Sequence, residues 1–236
     1  MAHIEYIQDG YKFVIFTSSE NWTAPAGVTK VDITLVGGGA AGSGGYIGGN
    51  SECRKAYGGI GGEGGEVKTK YDINVIGTIT VVIGASQGNT SFGNITATGA
   101  NLRTDVTSGY AWCNPFNEET YARDASNGLY GTHCPLTNTY YAGSGASAGA
   151  TSVVNWYHTC RIDALGGSYY DGGGSQSSSG TANTGGGGGG GEGLNYSNDS
   201  INMDDQSRPG HLGGSGVIIL RYKIEKSNNI FFTNNF

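Results

Sequence analysis

Charged side chains are scarce in this chain of 236 residues. Asp, Glu, Lys and Arg make up 14 per cent of it, against about 25 per cent in an ordinary globular domain. The net charge is −6, so the sequence lacks the basic footprint of a nucleic-acid-binding protein. No apolar run is long enough to cross a membrane as a helix. Residues 1–13 contain no apolar core of signal-peptide length, so we expect a protein that stays in the cell or is released with a particle on lysis.

Helical periodicity is also missing, and the regular segments alternate as strands do. Such segments occupy 11–17, 30–36, 65–73 and 77–85, with a weaker one at 92–99 and a turn region at 21–30, and 216–224 is a strand signal as the most apolar run. In 30–36 the alternation puts Val31, Ile33 and Leu35 on one face. A strand as short as 216–224 is not stable alone, so it must return to the sheet made by the first half. We therefore predict a single all-β domain whose base, a β-sandwich or jelly-roll-like unit, comes from 11–36, 65–99 and 216–224.

Glycine is in excess in this sequence. It supplies 45 of the 236 residues, far above its usual share of about 7 per cent. The tracts lie in 37–65, 142–150, 165–193 and 210–216, and Gly185–Gly191 is an unbroken run. They leave the base and return to it, whereas flexible linkers join separate domains. The pattern predicts a bundle of polyglycine-II helices with long connecting loops, packed through backbone hydrogen bonds. The run 185–191 suits a central helix that other helices surround, and long mobile loops are the alternative.

A strand leading into Gly37, Gly39 and Gly42 matches the spacing of a dinucleotide-binding loop. That loop needs a helix N-terminus after it to hold the pyrophosphate, and the residues that follow here cannot start a helix. We therefore predict no nucleotide cofactor.

Other motifs for catalysis or metal binding are equally weak. The spacing of His133, Cys134, His158 and Cys160 matches no zinc site, and the acidic pairs 118–119 and 204–205 are expected to be solvated loop charges. The four cysteines fit either two disulfides or a reduced protein. We predict no catalytic residue, no metal and no cofactor, and thus a protein that is not an enzyme.

The segments between the glycine tracts are rich in Tyr and Trp set among Ser, Asn and Gly, which is the composition of binding loops. They are 50–57, 151–164 and 194–209, together with an insertion within 100–165. If each tract is a straight strut, these loops gather at the far tip. Some aromatic residues, Trp112 and Phe116 above all, could instead cover a small core of the insertion. The candidate receptor-binding residues are Arg54, Tyr57, Trp156, Tyr157, His158, Tyr169, Tyr170 and Tyr196.

Several quoted stretches resemble the glycine-rich domain of bacteriophage tail-fibre proteins. They are "FTSSENWTAPAGVTKVDITLVGGGAAGSGG", "GGEGGEVKTKY", "ITVVIGA" and the closing "GGSGVIILRY". The chain is also similar to the glycine-helix adhesins at the tips of the long tail fibres of T-even-like phages. In those adhesins a stack of glycine helices displays loops that touch the host receptor.

The resemblance implies a virion surface fibre protein that acts as a receptor-binding adhesin, made in the host cytoplasm and exposed on the particle. Its expected partners are a bacterial cell-surface receptor, either protein or glycan, and other virion fibre subunits, as a homotrimer or as a cap on a trimeric fibre. Neither nucleic acid nor membrane insertion is expected. The alternative is a structural decoration or head-fibre protein without a dedicated receptor. An ice-binding protein would need flat, Thr-rich faces, which these irregular aromatic segments do not suggest.

Overall fold

A computed structural model describes residues 3–50, 53–104, 107–113, 119–155, 159–176, 178–198 and 206–224. These residues form β-strands, turns and extended segments, and no helix occurs among them. The predicted all-β class is therefore confirmed. The strands group into a base, which holds the two ends of the described chain, and a tip, which lies at the other end of the glycine tracts.

The first base sheet has five antiparallel strands. Its order is β1 (His3–Gln8), β2 (Tyr11–Phe16), β19 (Val217–Lys223), β4 (Lys30–Val36) and β7 (Val67–Asn74). The last strand, β19, thus lies between two of the first strands, which confirms that the chain returns to the base after its glycine tracts.

A second antiparallel sheet packs on one face of the first. Its order is β10 (Ile95–Ala97), β9 (Thr90–Phe92), β8 (Thr78–Val82) and β3 (Glu20–Thr23). Val31, Ile33 and Leu35 all face the core between the sheets, as predicted, and meet side chains of the second sheet that include Trp22 and Phe92. Two expectations were wrong in detail. The turn region 21–30 begins inside strand β3, and the weak strand at 92–99 is part of a hairpin of β9 and β10.

The other face of the first base sheet is covered by a hairpin of β13 (Thr132–Cys134) and β14 (Thr139–Tyr141). Cys134 and Leu136 pack there against Phe13, Val217 and Ile219. The Cys134 thiol is buried and unpaired, and it donates to the Thr34 hydroxyl at 3.4 Å. Apolar side chains on both faces of the sheet explain why β19 is apolar over consecutive residues instead of alternating.

The glycine tracts run outward from the base and back again in pairs. Outward tracts 37–45, 107–109, 142–149 and 185–192 are followed by return tracts 58–65, 124–131, 165–170 and 208–216. Tract 37–45 shows how they join. The amides of Gly39, Gly42 and Gly45 donate to the carbonyls of Gly214, His211 and Arg208, at 2.9–3.0 Å. Every third amide therefore reaches the same neighbouring tract, and the amides of Ala40 and Ser43 reach tract 58–65 instead.

The run Gly185–Gly191 is buried among the other tracts. The amides of Gly187 and Gly190 donate to tract 142–149, and those of Gly188 and Gly191 donate to tract 37–45. A Cβ added at Gly188 would lie less than 3.0 Å from the carbonyl oxygen of His211. The absence of a side chain at this position therefore allows the backbones to approach closely.

Candidate functional site

At the outer end, each pair of tracts is joined by two strands. These strands are β5 (Tyr46–Asn50) and β6 (Cys53–Tyr57), β11 (Tyr110–Cys113) and β12 (Thr120–Arg123), β15 (Ala150–Asn155) and β16 (Thr159–Ala164), and β17 (Gly193–Asn198) and β18 (Gln206–Ser207). The aromatic segments that we expected to be loops thus contain strands. Their Tyr, Thr, Val and Ile residues suit a half-buried pleated surface, and pairing with neighbours overrides the loop-like composition.

The eight strands form two tip sheets. The first tip sheet is antiparallel in the order β12-β11-β6-β5, and the second has the order β16-β15-β17-β18, with β15 and β17 parallel. Ala56, Ala111 and Ala122 of the first sheet pack with Ala150 of the second. Such small side chains let the two sheets approach closely, and strand alternation places the residues that flank these alanines in sequence on the outer face.

The outer face of the first tip sheet is a grid of two rows across four strands, set by the pairing register. One row is Tyr46, Tyr57, Tyr110 and Arg123, and the other is Gly48, Lys55, Trp112 and Tyr121. We name these eight residues the tyrosine face. Tyr46 and Tyr121 are 55 and 52 per cent exposed, and the remaining members are half-buried or exposed.

The aromatic rings of the tyrosine face hold one another in place. The centroids of Tyr46 and Tyr57 are 4.3 Å apart with rings only 5° from parallel, and Tyr110 lies 4.9 Å from Tyr57. Tyr121 continues the series, 5.7 Å from Tyr110. Burial, followed by the nearby Tyr57 and its hydroxyl, raises the pKa of Tyr46. Tyr46 therefore keeps its proton at neutral pH and can donate a hydrogen bond.

The charges on the tyrosine face have one sign. Lys55 and Arg123 are its two charged residues, and no position in either row carries a carboxylate. Arg123 Nη2 donates to the carbonyl of Ser108 at 3.4 Å, which ties it to the tract that precedes β11. The face is thus aromatic and cationic in a chain that is acidic as a whole.

A second aromatic group lies beside the glycine tracts. The centroids of Tyr130 and Tyr170 are 4.1 Å apart, and Tyr169, which precedes Tyr170, is exposed. A hydrogen bond with Tyr170 raises the pKa of Tyr130. The amide of Gly131 donates to Asp171 at 2.7 Å, which fixes this group to the return tract 165–170 and its turn.

The predicted site residues do not form one cluster. Tyr57 lies on the tyrosine face, whereas Tyr169 and Tyr170 lie beside the tracts. Arg54 is on β6, and Tyr196 is on β17 opposite Val153. Trp156, Tyr157 and His158 lie outside the described residues. The sequence reasoning missed Tyr46, Tyr110, Tyr121 and Lys55, although each tyrosine stands close to a glycine tract in a short alternating stretch.

The backbone amides of Gly37, Gly39 and Gly42 are already hydrogen-bonded within the fold. They donate to the carbonyls of Glu66, Gly214 and His211, each at 2.9 Å. An extended tract, not a helix, follows the motif. These amides are therefore unable to hold a phosphate while the tracts are packed, and we expect no dinucleotide to bind.

Within the part of the chain that the structure describes, neither a metal site nor a membrane-spanning helix is found. No three His, Cys, Asp or Glu residues there lie close enough to hold a metal ion. No helix there has the length and apolar character needed to cross a membrane.

The tracts, base and tip fall within one known family pattern. A family model described as a glycine-rich domain matches residues 16–223. The chain belongs to this glycine-rich domain family. The match runs from the end of β2 to the end of β19, so it includes the tip sheets of this glycine-rich domain as well as its tracts. A search of curated proteins found no match.

Proposed function

We propose that this glycine-rich domain is a virion surface fibre protein that binds the bacterial host surface through its tip. The tyrosine face, held at the far end of the tracts from the base, is the observation that carries this proposal. Aromatic side chains supply most of the energy at protein interfaces, often about 2 kcal/mol or more each at the best-packed positions. The tracts expose few side chains, so discrimination between partners falls to the tip.

We also propose that the tracts are polyglycine-II helices in a bundle, the finer architecture expected from the sequence. A helix of that type has three residues per turn and no internal hydrogen bonds. Its amides therefore repeat their partners every third residue, as those of Gly39, Gly42 and Gly45 do. The bundle would act as a rigid spacer between the jelly-roll-like sandwich of the base and the receptor.

In this proposal the base faces the particle and contacts other fibre subunits, as a homotrimer or as a cap on a trimeric fibre. The protein is carried on the virion, where its role is binding and not catalysis.

Adsorption of the purified chain to a panel of bacterial cells tests the proposed function. We expect wild-type protein to bind some strains and the Trp156→Ala, Tyr157→Ala double variant to bind them at least about tenfold less, a loss of about 1.4 kcal/mol. Its melting temperature should be unchanged. Tyr71→Ala, which removes an exposed tyrosine from the base, is the matched control and should adsorb normally.

Two results would contradict the role of segment 151–164, and a third would contradict the adhesin function itself. Unfolding of the double variant would show that the two rings belong to a core. A folded double variant that adsorbs normally would remove these rings from the receptor contact. Wild-type protein that adsorbs to no strain, but is found on the particle by labelled antibody in electron microscopy, would establish the structural decoration alternative.

A further inference from the structure

We propose that the tyrosine face binds an acidic polysaccharide. This inference rests on the proposed adhesin function and names the chemical class of its receptor. It uses residues of β5, β6, β11 and β12 that the sequence alone did not bring together, and it does not depend on the segments between those strands.

The shape of the tyrosine face suits a chain of sugars. Gly48 has no side chain, and the rings of Tyr57 and Tyr46 lie beside it, with ring carbons 3.6 Å and 3.9 Å from where a Cβ would be. The face therefore presents partly exposed aromatic rings, against which the C–H groups of a sugar can pack. The tyrosine hydroxyls, which both donate and accept, match the hydroxyl groups of a saccharide. An extended peptide would instead add to a sheet edge, where backbone groups are free to pair.

The charge of the tyrosine face favours an acidic ligand. Lys55 is beside Trp112 in the middle of the grid, and Arg123 is beside Tyr110 at its end. No carboxylate stands among the eight positions, so the two charged side chains of the face are opposite in sign to the net charge of −6. Complementary charge selects partners and speeds association more than it adds affinity. A polysaccharide that carries carboxylates or phosphates fits this surface better than a neutral one.

The first experiment is a competition assay with full-length protein on the strains that it adsorbs to. The competitor is polysaccharide extracted from those same cells, used either untreated or after its carboxylates are reduced and its phosphates removed. We expect untreated polysaccharide to block adsorption and neutralised polysaccharide to be at least about tenfold weaker, equivalent to about 1.4 kcal/mol. Added salt should weaken the block by untreated polysaccharide, because it screens exposed charges.

The second experiment assigns the binding to this face. Tyr46→Ala and Lys55→Gln should each weaken binding of the extracted polysaccharide several-fold or more. Tyr71→Ala and Lys70→Gln, which make the same changes on β7 in the base, should leave it unchanged. Tyr46 is more than half exposed, so its truncation is expected to leave the fold intact. Lys55→Gln should also reduce the preference for untreated over neutralised polysaccharide.

Each contrary outcome overturns the inference in a distinguishable way. If protease treatment of the cells abolishes adsorption and the polysaccharide does not compete, the receptor is a protein, and the proposed adhesin function still stands. Equal competition by neutralised polysaccharide excludes recognition of acidic groups. A wild-type dimer that Tyr46→Ala converts to monomers, with polysaccharide binding unchanged, shows that the face joins two copies of the chain. Absence of adsorption by wild-type protein contradicts the proposed function itself.

Discussion

Glu66 is a single residue that ties the base to the start of the tracts. Its Oε2 accepts from the amide of Thr98 at 2.8 Å and from the Thr98 hydroxyl at 3.0 Å, and Lys68 lies 2.9 Å from Oε1. The hydrogen bond from Lys68, followed by the one from the Thr98 amide, lowers the pKa of Glu66. Its own carbonyl accepts from Gly37, the first residue of tract 37–45.

We predict that Glu66→Gln lowers the melting temperature at pH 7 and that the difference vanishes in acid. Because the pKa of Glu66 is lower in the folded state, its stabilisation is present above its ordinary pKa of about 4.3 and is lost as pH falls through the folded value. Thermal melts of both proteins from pH 7 to acid measure this. Glu63→Gln, an exposed change in the neighbouring tract, is the control. A difference that persists unchanged in strong acid would exclude the ionised carboxylate as its cause.

Among the elements, the buried run 185–191 gives the sharpest prediction. Gly188→Ala should lower the free energy of unfolding by about 1–3 kcal/mol or more, because its Cβ would overlap a backbone carbonyl that cannot rotate away. Gly48→Ala, whose Cβ has room on the tip sheet, should change stability far less. Denaturant unfolding of the two variants decides between close packing and a mobile loop. Equal effects would contradict close packing.

A measurement on the wild-type chain keeps this test valid if Gly188→Ala fails to fold. The amides of Gly187, Gly188, Gly190 and Gly191 all donate to carbonyls of neighbouring tracts. We expect their hydrogen exchange to be much slower than that of the same sequence in a free peptide, because exchange requires the tracts to open. If these amides exchange at free-peptide rates, close packing of the tracts is excluded and they are mobile loops.

Strands β2, β4, β7 and β8 could be predicted from sequence because each is a local alternating pattern, and β19 could because it is a short apolar run. β1 was missed although Asp9 and Gly10, both with positive φ, form a hairpin turn that sequence can indicate. The tip was harder. The parallel pairing of β15 with β17 joins segments distant in the chain, and no local pattern specifies it. Tyr57 was predicted as a binding residue from the composition of segment 50–57. Its neighbours Tyr46 and Tyr110 are identified only by the register of the strands.

For the whole molecule, we predict that base and tracts unfold together. β19 continues directly from return tract 208–216 into the centre of the base. Leu220→Ala removes a fully buried side chain and should cost about 2–5 kcal/mol, whereas Leu212, 64 per cent exposed, should tolerate alanine with little change. The Leu220 variant should also speed exchange at Gly188 by the same factor as in the base, as measured by hydrogen exchange. Exchange at Gly188 that is unaffected would show that the tracts open independently of the base.

The alternation of outward and return tracts has a mechanical consequence. If the tip is held and the base is pulled away, tension runs along the tracts, and their hydrogen bonds lie across that direction. Each tract shares bonds with several neighbours, as Gly187 and Gly188 do with two different tracts. The bonds are therefore sheared together instead of being peeled apart one by one. Many of these hydrogen bonds must break at once before the tracts separate, so we expect the packed glycine tracts to resist a pulling force along their length.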